Sequence, residues 1–312
     1  MNYIGLLAER LKKTEDEVSS FLLGAPLKYK VYNIPKRTSG YRVIAQPSKE
    51  LKIYQRKFLE TFSFAVHNSA KAYKKDISIK DNAFVHSSNQ YLLKMDFENF
   101  FNSIDDVVFW KVWAEHYLMP DDENKLFLER LLFWAPSKSL MGKLVLSIGA
   151  PSSPMISNFI MHNFDDEVFN MCKNLGINYS RYADDLTFST NIKNVLFEIP
   201  NLIIPIIRKH FNDSLKLNRR KTVFASKAHN RHVTGVTIAN DGKLSIGRER
   251  KRYIKHLVHQ YILKKLESNE VYHLKGLLAF SSHIEPLFIR RLEIKYSKEV
   301  LKSIFEESYE ET

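Results

Sequence analysis

Residues 179–190, Tyr-Ser-Arg-Tyr-Ala-Asp-Asp-Leu-Thr-Phe-Ser-Thr, place two adjacent carboxylates between runs of aromatic and β-branched residues. Such runs favour β-strands, so we expect a hairpin that carries Asp184 and Asp185 at its tip. Adjacent carboxylates repel each other unless a cation neutralises them, and a divalent ion is the usual partner. Because Asp is also common in solvated turns, this stretch alone predicts the hairpin and leaves its chemistry open.

A third carboxylate lies upstream, where Asp96 follows the apolar strand pattern of residues 91–95. If that strand lies beside the hairpin, Asp96, Asp184 and Asp185 can hold two divalent ions roughly 3.5–4 Å apart. One ion would activate a primer hydroxyl, and the other would bind a triphosphate and the leaving pyrophosphate. The three carboxylates therefore indicate nucleotidyl transfer.

Composition sets the class of protein. The 312 residues are 44% hydrophobic and 26% charged, which is typical of a globular chain without a membrane partner. Lys and Arg outnumber Asp and Glu by 47 to 35, and the resulting charge of +12 favours a nucleic-acid partner, although a solvated basic surface would look the same. The short, charge-interrupted apolar start and the lone Cys172 predict a cytoplasmic protein without disulfides.

Local patterns predict the other elements. A capping box at Thr14 and Glu17 begins a short N-terminal helix that ends at Gly24. Residues 30–44 alternate around Thr38-Ser39-Gly40 and predict a second hairpin. Further helices are expected from Ser48, from Ser153 as N-cap with Pro154 as the first residue, and across the basic region that follows Arg248.

Three ordered motifs carry a resemblance to a known family. Tyr182-Ala183-Asp184-Asp185, with Asp96-Phe97-Glu98-Asn99-Phe100-Phe101 upstream and Gly149-Ala150-Pro151-Ser152-Ser153-Pro154 between them, resembles the catalytic motifs of reverse transcriptases. Asn82-Ala83-Phe84-Val85-His86 and Val233-Thr234-Gly235 look like two short elements of the retron branch. One departure is that Ser147-Ile148 stands before Gly149, where retron enzymes usually carry Pro-Gln, so no role is assigned to Ile148.

The resemblance implies an α+β fold shaped as a right hand, with fingers, an antiparallel-sheet palm and a helical thumb. We expect an N-terminal helical unit and fingers in residues 1–90, and the palm, with an inserted fingers segment and the catalytic hairpin, in residues 91–240. Residues 241–312 are then expected to form the thumb.

The resemblance also implies site roles. Asp96, Asp184 and Asp185 become the catalytic residues, and Asp96, Phe97, Asp184 and Asp185 become the ligands of two Mg²⁺ ions, with Mn²⁺ as a substitute. The expected nucleotide-binding residues are Lys36, Arg42, Phe101, Gly149 and Lys221. Of the adjacent rings Phe100 and Phe101, we expect one to pack inward while Phe101 lies under the sugar and excludes a 2′-hydroxyl.

The C-terminal region is basic and carries interleaved tyrosines, which suits phosphate contacts and base stacking. The expected nucleic-acid-binding residues are Asn82, His86, Arg248, Arg250, Lys251, Arg252, Tyr253, Lys255, Lys264 and Lys265. For His86, a buried structural role and an RNA contact are equally compatible with the sequence.

As a family, retron enzymes copy a structured noncoding RNA that also supplies the priming 2′-hydroxyl of a guanosine. The product is a branched RNA-linked DNA, and the family acts with an accessory effector protein in defence against phage. The resemblance therefore implies dNTPs, this RNA, its DNA product and an effector as partners. Two alternatives remain open at this point, namely a non-retron bacterial reverse transcriptase and an RNA-binding scaffold of a defence complex.

Overall fold

The computed structural model describes residues 2–36, 40–212 and 214–307 and consists of helices and antiparallel sheets, so the predicted α+β class is confirmed. Its strands are β1 (Tyr29–Pro35), β2 (Tyr41–Pro47), β3 (Tyr91–Asp96), β4 (Asn178–Tyr182), β5 (Asp185–Thr190), β6 (Val223–Ser226), β7 (Arg231–Val233), β8 (Val236–Ile238) and β9 (Leu244–Ser245). Its α-helices are α1 (Tyr3–Leu11), α2 (Glu15–Leu23), α3 (Lys49–Thr61), α4 (Ile79–Phe84), α5 (Phe100–Ser103), α6 (Asp106–His116), α7 (Asp122–Leu132), α8 (Ser153–Ile160), α9 (His162–Asn174), α10 (Ile199–Phe211), α11 (Arg248–Ile262), α12 (Ser268–Ile284), α13 (Pro286–Tyr296) and α14 (Lys298–Glu306).

The central sheet has four strands in the order β4-β5-β3-β6, and every neighbouring pair is antiparallel. The predicted hairpin is β4 and β5, and the strand predicted at residues 91–95 is β3, which pairs with β5. This pairing brings the last residues of β3 and β4 and the first residue of β5 to the same end of the sheet.

Helix caps follow the predicted signals closely. Thr14 and Glu17 form the expected capping box of α2, and Gly24 is its C-cap. Ser48 caps α3 through the amide of Leu51. For α8 the prediction was wrong by one residue, because Ser153 is already helical and Ser152 holds the N-cap position without a capping hydrogen bond from its side chain.

The larger hydrophobic core lies between the central sheet and the helices α1–α3 and α6–α10. Aromatic residues dominate its N-terminal part, where Trp113 has no exposed surface and its ring lies 5.8 Å from that of Tyr3 and 5.1 Å from that of Phe62. Edge and stacked contacts of this kind add to the stabilisation that burial alone provides. The N-terminal helices are thereby fixed onto the rest of the fold.

A second core lies among the C-terminal helices α11–α14 and the three-stranded sheet β7-β8-β9. Two residues from earlier in the chain, Ala83 of α4 and Leu92 of β3, also belong to it. Through these residues the C-terminal unit packs against α4 and the central sheet.

The turn at Val233-Thr234-Gly235 joins β7 to β8, and both Thr234 and Gly235 have positive φ, at 46° and 82°. Such a turn matches the right-handed twist of the strands it joins. The Thr234 hydroxyl lies 3.4 Å from Asn82 Nδ2, so the two short elements that suggested the retron branch contact each other. Within the described residues, no helix is long and apolar enough to cross a bilayer.

Candidate active site

Three carboxylates meet where β3 ends and the β4–β5 hairpin turns. Asp96 and Asp185 are directly opposed partners on neighbouring strands, and Ala183 and Asp184 form the two-residue loop. The backbone amide of Phe97 donates to the Asp184 carbonyl oxygen at 3.1 Å, which locks the loop against the end of β3. The hairpin predicted from the sequence therefore places its acidic pair beside the upstream carboxylate.

The electrostatics of this cluster are unfavourable for three anions. Burial and the neighbouring Asp96 raise the pKa of Asp184 above its usual range. Desolvation by surrounding protein, followed by repulsion from Asp184 and Asp96, raises the pKa of Asp185 to about 7, although solvent still reaches this side chain. Burial and mutual repulsion destabilise the charged forms of these carboxylates, and a bound cation would offset both effects.

Lys221 supplies the one positive charge that contacts the cluster directly in the described part of the chain. Its ammonium lies 2.9 Å from each oxygen of Asp96, and the lysine side chain is otherwise 60% exposed. It sits in a short 3-10 turn, Arg219–Lys221, whose following strand β6 pairs with β3. The lysine thus marks a position where the site accepts a cation.

The oxygen atoms of Asp96, Asp184 and Asp185 suit a divalent cation. Among the described residues, no three His, Cys, Asp or Glu side chains surround a common point as ready ligands, and both oxygens of Asp96 contact the Lys221 ammonium. The ring of Phe97 is buried and packs 5.7 Å from that of Phe100, so this residue can offer only its backbone carbonyl. Three neighbouring carboxylates nevertheless provide the oxygen ligands that Mg²⁺ prefers.

A cavity of about 390 Å³ is lined by Tyr73, whose pKa is raised by burial and by the nearby charge of Asp184, but by none of the three carboxylates. Phe101 and Tyr73 line it, with their ring centroids 6.5 Å apart, whereas Phe100 is buried. Gly149 lines the opposite wall at φ +127°, and a Cβ there would approach the Ala45 carbonyl oxygen to 3.1 Å. The close approach that requires glycine is therefore to the backbone of β2.

Comparison with known proteins identifies the family. A family model described as reverse transcriptase (RNA-dependent DNA polymerase) matches residues 34–238. The chain is 49% identical over 278 residues to the retron Ec83 reverse transcriptase of Escherichia coli, covering 88% of this chain and 89% of that protein. It is 30% identical over 296 residues to the retron Ec73 reverse transcriptase of Escherichia coli, covering 90% and 91% of the two chains.

This chain belongs to the retron-type reverse transcriptases. It is an RNA-directed DNA polymerase, and its α+β architecture is the right hand of that family, with the four-stranded sheet as palm.

The hairpin β1–β2 of this reverse transcriptase carries Lys36 and Arg42. Arg42 stands opposite Ile34 and is exposed, and its charge partly offsets the rise in the pKa of Asp184 and of Tyr73. The Lys36 amide donates to the Gly40 carbonyl oxygen at 2.9 Å, and Lys36 is exposed. The predicted tip residues Thr38 and Ser39 lie outside the described residues.

Asn82 and His86 were expected to contact nucleic acid, but both are completely buried, which contradicts that contact and agrees with the structural role that the sequence left open for His86. His86 Nδ1 and Nε2 lie 2.7 Å from the hydroxyls of Ser189 and Ser180, and Ser180 in turn donates to Asn82 Oδ1 at 2.6 Å. Burial and the nearby Lys71 lower the pKa of His86 to about 3, so the imidazole is neutral. These residues join α4 to the strands that carry the acidic hairpin.

The basic helix α11 presents its predicted residues in different environments. Arg248, Arg252, Tyr253 and Lys255 are exposed. Lys251 instead pairs with Glu285 at 2.6 Å, and the Arg250 guanidinium lies 4.8 Å from the Phe280 ring centroid, so both are engaged within the protein. Lys264 and Lys265 were expected to lie in a helix, but they are exposed in the turn that follows α11.

Several residues of the site were not predicted from the sequence. Lys52, Arg56 and Tyr73 line the cavity from α3 and from the loop that follows it. Arg181 and Asp165 form a buried ion pair directly behind the hairpin turn. The charge of Arg181 in the middle of a strand was the available signal for the pair, but its partner Asp165 lies 16 positions earlier in the sequence.

Proposed function

We propose that this enzyme copies a structured noncoding RNA into single-stranded DNA by two-metal nucleotidyl transfer at Asp96, Asp184 and Asp185. The observation that supports it is the opposition of Asp96 and Asp185 on neighbouring strands, with Asp184 in the adjoining loop. Burial and close packing raise the pKa of Asp184 and Asp185, and Lys221 compensates the charge of Asp96. Two bound cations would neutralise all three carboxylates.

In this proposal Asp96, Asp184, Asp185 and the Phe97 carbonyl hold two Mg²⁺ ions, or Mn²⁺ in their place. The bound metal supplies activation of the primer hydroxyl and neutralises charge on the triphosphate and the leaving pyrophosphate. Lys221, whose ammonium contacts Asp96 in this structure, would pair with phosphate or protonate pyrophosphate. Arg42 and Lys36 grip the triphosphate, the first through paired donors and the second as a point charge.

Phe101 and Gly149 are proposed to shape the nucleotide pocket. Phe101 lines the cavity together with Tyr73 and would lie under the sugar, where its ring leaves no room for a 2′-hydroxyl. Gly149 forms the opposite wall, and its backbone is already held near β2 by the hydrogen bond from the Ala45 amide to the Ile148 carbonyl oxygen at 3.0 Å. The pocket would thereby select dNTPs.

We further propose that the RNA is held by the exposed basic side of α11 and by the turn after it. Arg248, Arg252, Lys255, Lys264 and Lys265 are exposed there, and Tyr253 offers a ring that is 46% exposed. Cationic side chains with an accessible aromatic ring suit phosphate contacts and base stacking. We keep the proposed boundaries near residues 90 and 240 for fingers, palm and thumb. The second core joins α11–α14 to Val233, Val236 and Ile238, so β7 and β8 pack with the proposed thumb.

The proposed product is a branched RNA-linked DNA that works with an accessory effector protein in the cytoplasm, in defence against phage. Support for the retron role comes from the similarity to two retron reverse transcriptases along most of their length. The cytoplasmic setting agrees with Cys172, a free and buried thiol.

The deciding experiment is to express the enzyme with its native upstream sequence, purify it, and treat the bound nucleic acid with RNase, DNase and a debranching enzyme. We expect a small DNA that debranching releases from RNA. DNA that resists debranching would assign the enzyme to another branch of reverse transcription, and RNA without DNA would favour the scaffold function.

The matched variant is Asp184→Asn with Asp185→Asn, which keeps the shape of both side chains. We expect soluble, RNA-binding protein that makes no DNA, since the raised pKa values show that the folded state gains nothing from these charges. DNA synthesis by this double variant would disprove the metal assignment.

A further inference from the structure

A buried ion pair lies directly behind the catalytic turn. Arg181 and Asp165 have no exposed side-chain surface, and the Nε and Nη2 groups of Arg181 donate to both carboxylate oxygens of Asp165 at 2.7–3.1 Å. Tyr179 donates its hydroxyl to Asp165 Oδ1 at 2.7 Å. Well-packed apolar residues can often replace a buried pair of this kind without loss of stability, so its presence calls for a different explanation.

The remaining donor of Arg181 reaches the turn itself, since Nη1 lies 3.0 Å from the Ala183 carbonyl oxygen. Ala183 is the first residue of the two-residue loop and has φ +56°, a conformation that usually selects glycine in such hairpins. A non-glycine residue persists there only where its surroundings hold it. Because Ala183 precedes Asp184 and Asp185, its conformation sets the direction of both carboxylates.

The same network extends to the wall of the nucleotide cavity. Arg181 Nη1 also donates to Asn158 Oδ1 at 3.2 Å, and Asn158 Nδ2 donates to the Ala72 carbonyl oxygen at 2.9 Å. The next residue is Tyr73, which has φ +60° and lines the cavity opposite Phe101. One buried guanidinium therefore contacts the catalytic turn directly and the cavity wall through a single side chain.

We propose that Arg181 is a positioning residue, which clamps the Ala183 turn from behind and, through Asn158, keeps Tyr73 in register with the carboxylates. Asp165 fixes the orientation of the guanidinium, and Tyr179 fixes Asp165. Displacement of catalytic groups by about 1 Å is enough to slow a reaction about 100-fold, so a rigid support behind the turn has a direct kinetic effect. The inference rests on the proposed role of the three carboxylates.

The test substitutes Arg181→Lys, which keeps the charge for Asp165 but removes the fork that reaches Ala183 and Asn158. Arg231→Lys is the matched control, because Arg231 is equally buried and donates to the carbonyl oxygens of Asn89 and Ala239, away from the turn. We expect kcat for dNTP addition to fall at least about tenfold in Arg181→Lys, the loss that one charged hydrogen bond corresponds to, with the thermal midpoint near that of the control.

Two further readouts separate positioning from general destabilisation. Mn²⁺ binding, followed by the electron paramagnetic resonance of free Mn²⁺, should weaken in Arg181→Lys and stay unchanged in Arg231→Lys. Ala183→Gly, which adopts the turn without strain, should make the effect of Arg181→Lys on kcat smaller than in the wild-type background. Additive effects in this cycle, or wild-type kcat and Mn²⁺ affinity in a folded Arg181→Lys protein, would overturn the inference.

Asn158→Ala provides the second route if Arg181→Lys does not fold. It leaves the Arg181–Asp165 pair and the contact to Ala183 intact and removes the link from Arg181 Nη1 to the Ala72 carbonyl oxygen, so KM for dNTP should rise more than kcat falls. Unchanged KM and kcat in this variant would equally overturn the inference. Failure of the proposed function looks different, because then the wild-type enzyme makes no DNA or the double Asp→Asn variant still makes it.

Discussion

At the scale of single residues, Phe100 and Phe101 show how neighbours of identical chemistry acquire different surroundings. Phe100 is 3% exposed and packs against Phe97, while Phe101 lines the 390 Å³ cavity opposite Tyr73. They lie in the single-turn helix α5, which starts from Asn99 in a left-handed conformation with φ +45°. This turn directs one ring into the core and the other toward the proposed sugar position.

Phe101→Val is therefore expected to relax sugar selection. Removing the ring opens space for a 2′-hydroxyl, so the ratio of kcat/KM for dNTP over rNTP should fall by about 10- to 100-fold, the range that pocket shape commonly provides. Single-nucleotide incorporation on a fixed primer-template measures it. Phe169→Val removes an exposed ring on α9 and serves as the control; an unchanged ratio in Phe101→Val would remove the steric role.

At the scale of elements, the packing of α4 against the palm depends on a chain of neutral hydrogen bonds centred on His86. Asn89 Nδ2 donates to the Ser189 hydroxyl, which contacts His86 Nδ1, and His86 Nε2 contacts the Ser180 hydroxyl, which donates to Asn82. The imidazole with its proton on Nε2 satisfies every contact of this chain. A second proton would introduce a buried charge that no carboxylate offsets among these partners.

Stability should consequently fall as the pH is lowered. The pKa of His86 is about 3 in the folded protein against an ordinary value near 6.5, so the unfolded chain binds the proton first between these values. The free energy of unfolding should lose about 1.4 kcal/mol per pH unit from this group below pH ~6.5. Urea titrations between pH 7 and 4.5 give the free energy of unfolding at each pH. Its dependence on pH should be weaker for His86→Gln than for the wild type, while His229→Gln, which removes an exposed imidazole, should match the wild type.

Helix α11 combines a structural face with a solvent-facing basic side. Ile254, Leu257 and Val258 bury one side in the second core, and Lys251 pairs with Glu285 at the edge of that side. Arg252 and Lys255 are exposed, and within the described residues no salt bridge occupies either of them. We therefore expect different effects from removing the positive charges on these two adjacent surfaces of α11.

Arg252→Gln with Lys255→Gln should weaken RNA binding and reduce the slope of log Kd against log salt by about 2, one for each lost phosphate contact. Lys251→Gln should instead lower the thermal midpoint and leave the salt slope unchanged, because its ammonium is already paired with Glu285. Filter binding at several salt concentrations and thermal unfolding distinguish the two effects. Equal slopes for both variants would argue against α11 as an RNA contact.

At the scale of the whole molecule, two hydrophobic cores meet at the palm sheet. The larger one joins the N-terminal helices to the palm, and the second one holds α11–α14 together, with Ala83 and Leu92 as its links to the rest. Polar contacts add to these links, since Thr234 lies near Asn82 and Arg231 donates to the Asn89 carbonyl oxygen, but each core keeps its own set of buried side chains. Such an arrangement favours partly independent unfolding of the two parts.

Leu274→Ala tests this division, because Leu274 of α12 has no exposed surface in the second core. The substitution should cost about 2–5 kcal/mol of stability, and faster amide exchange should appear mainly in α11–α14. Leu131→Ala in the larger core should give the reverse pattern in hydrogen-exchange mass spectrometry. Uniform acceleration in both variants would mean that the protein opens as one cooperative unit.

The sequence by itself determined the α+β class, the hairpin at Asp184 and Asp185, the strand that ends at Asp96, the capping box of α2 and the retron-type family. The hairpin, the strand and the capping box follow from short-range patterns, because alternation, turn chemistry and cap residues act within a few positions of each other. The α+β class and the family were implied by the resemblance of the ordered motifs to those of reverse transcriptases. The proposed roles of Lys36, Arg42 and Lys221 also came from motif position, and they remain predictions.

Only the tertiary structure decided which polar residues face solvent. His86 and Asn82 lie in a motif that suggested RNA, yet their partners Ser180 and Ser189 are about 100 positions away, and folding buries them together. Arg181 likewise acquires its meaning from Asp165 and Ala183 in three dimensions. Burial and long-range hydrogen bonding depend on how distant segments pack, and local sequence patterns do not contain that information.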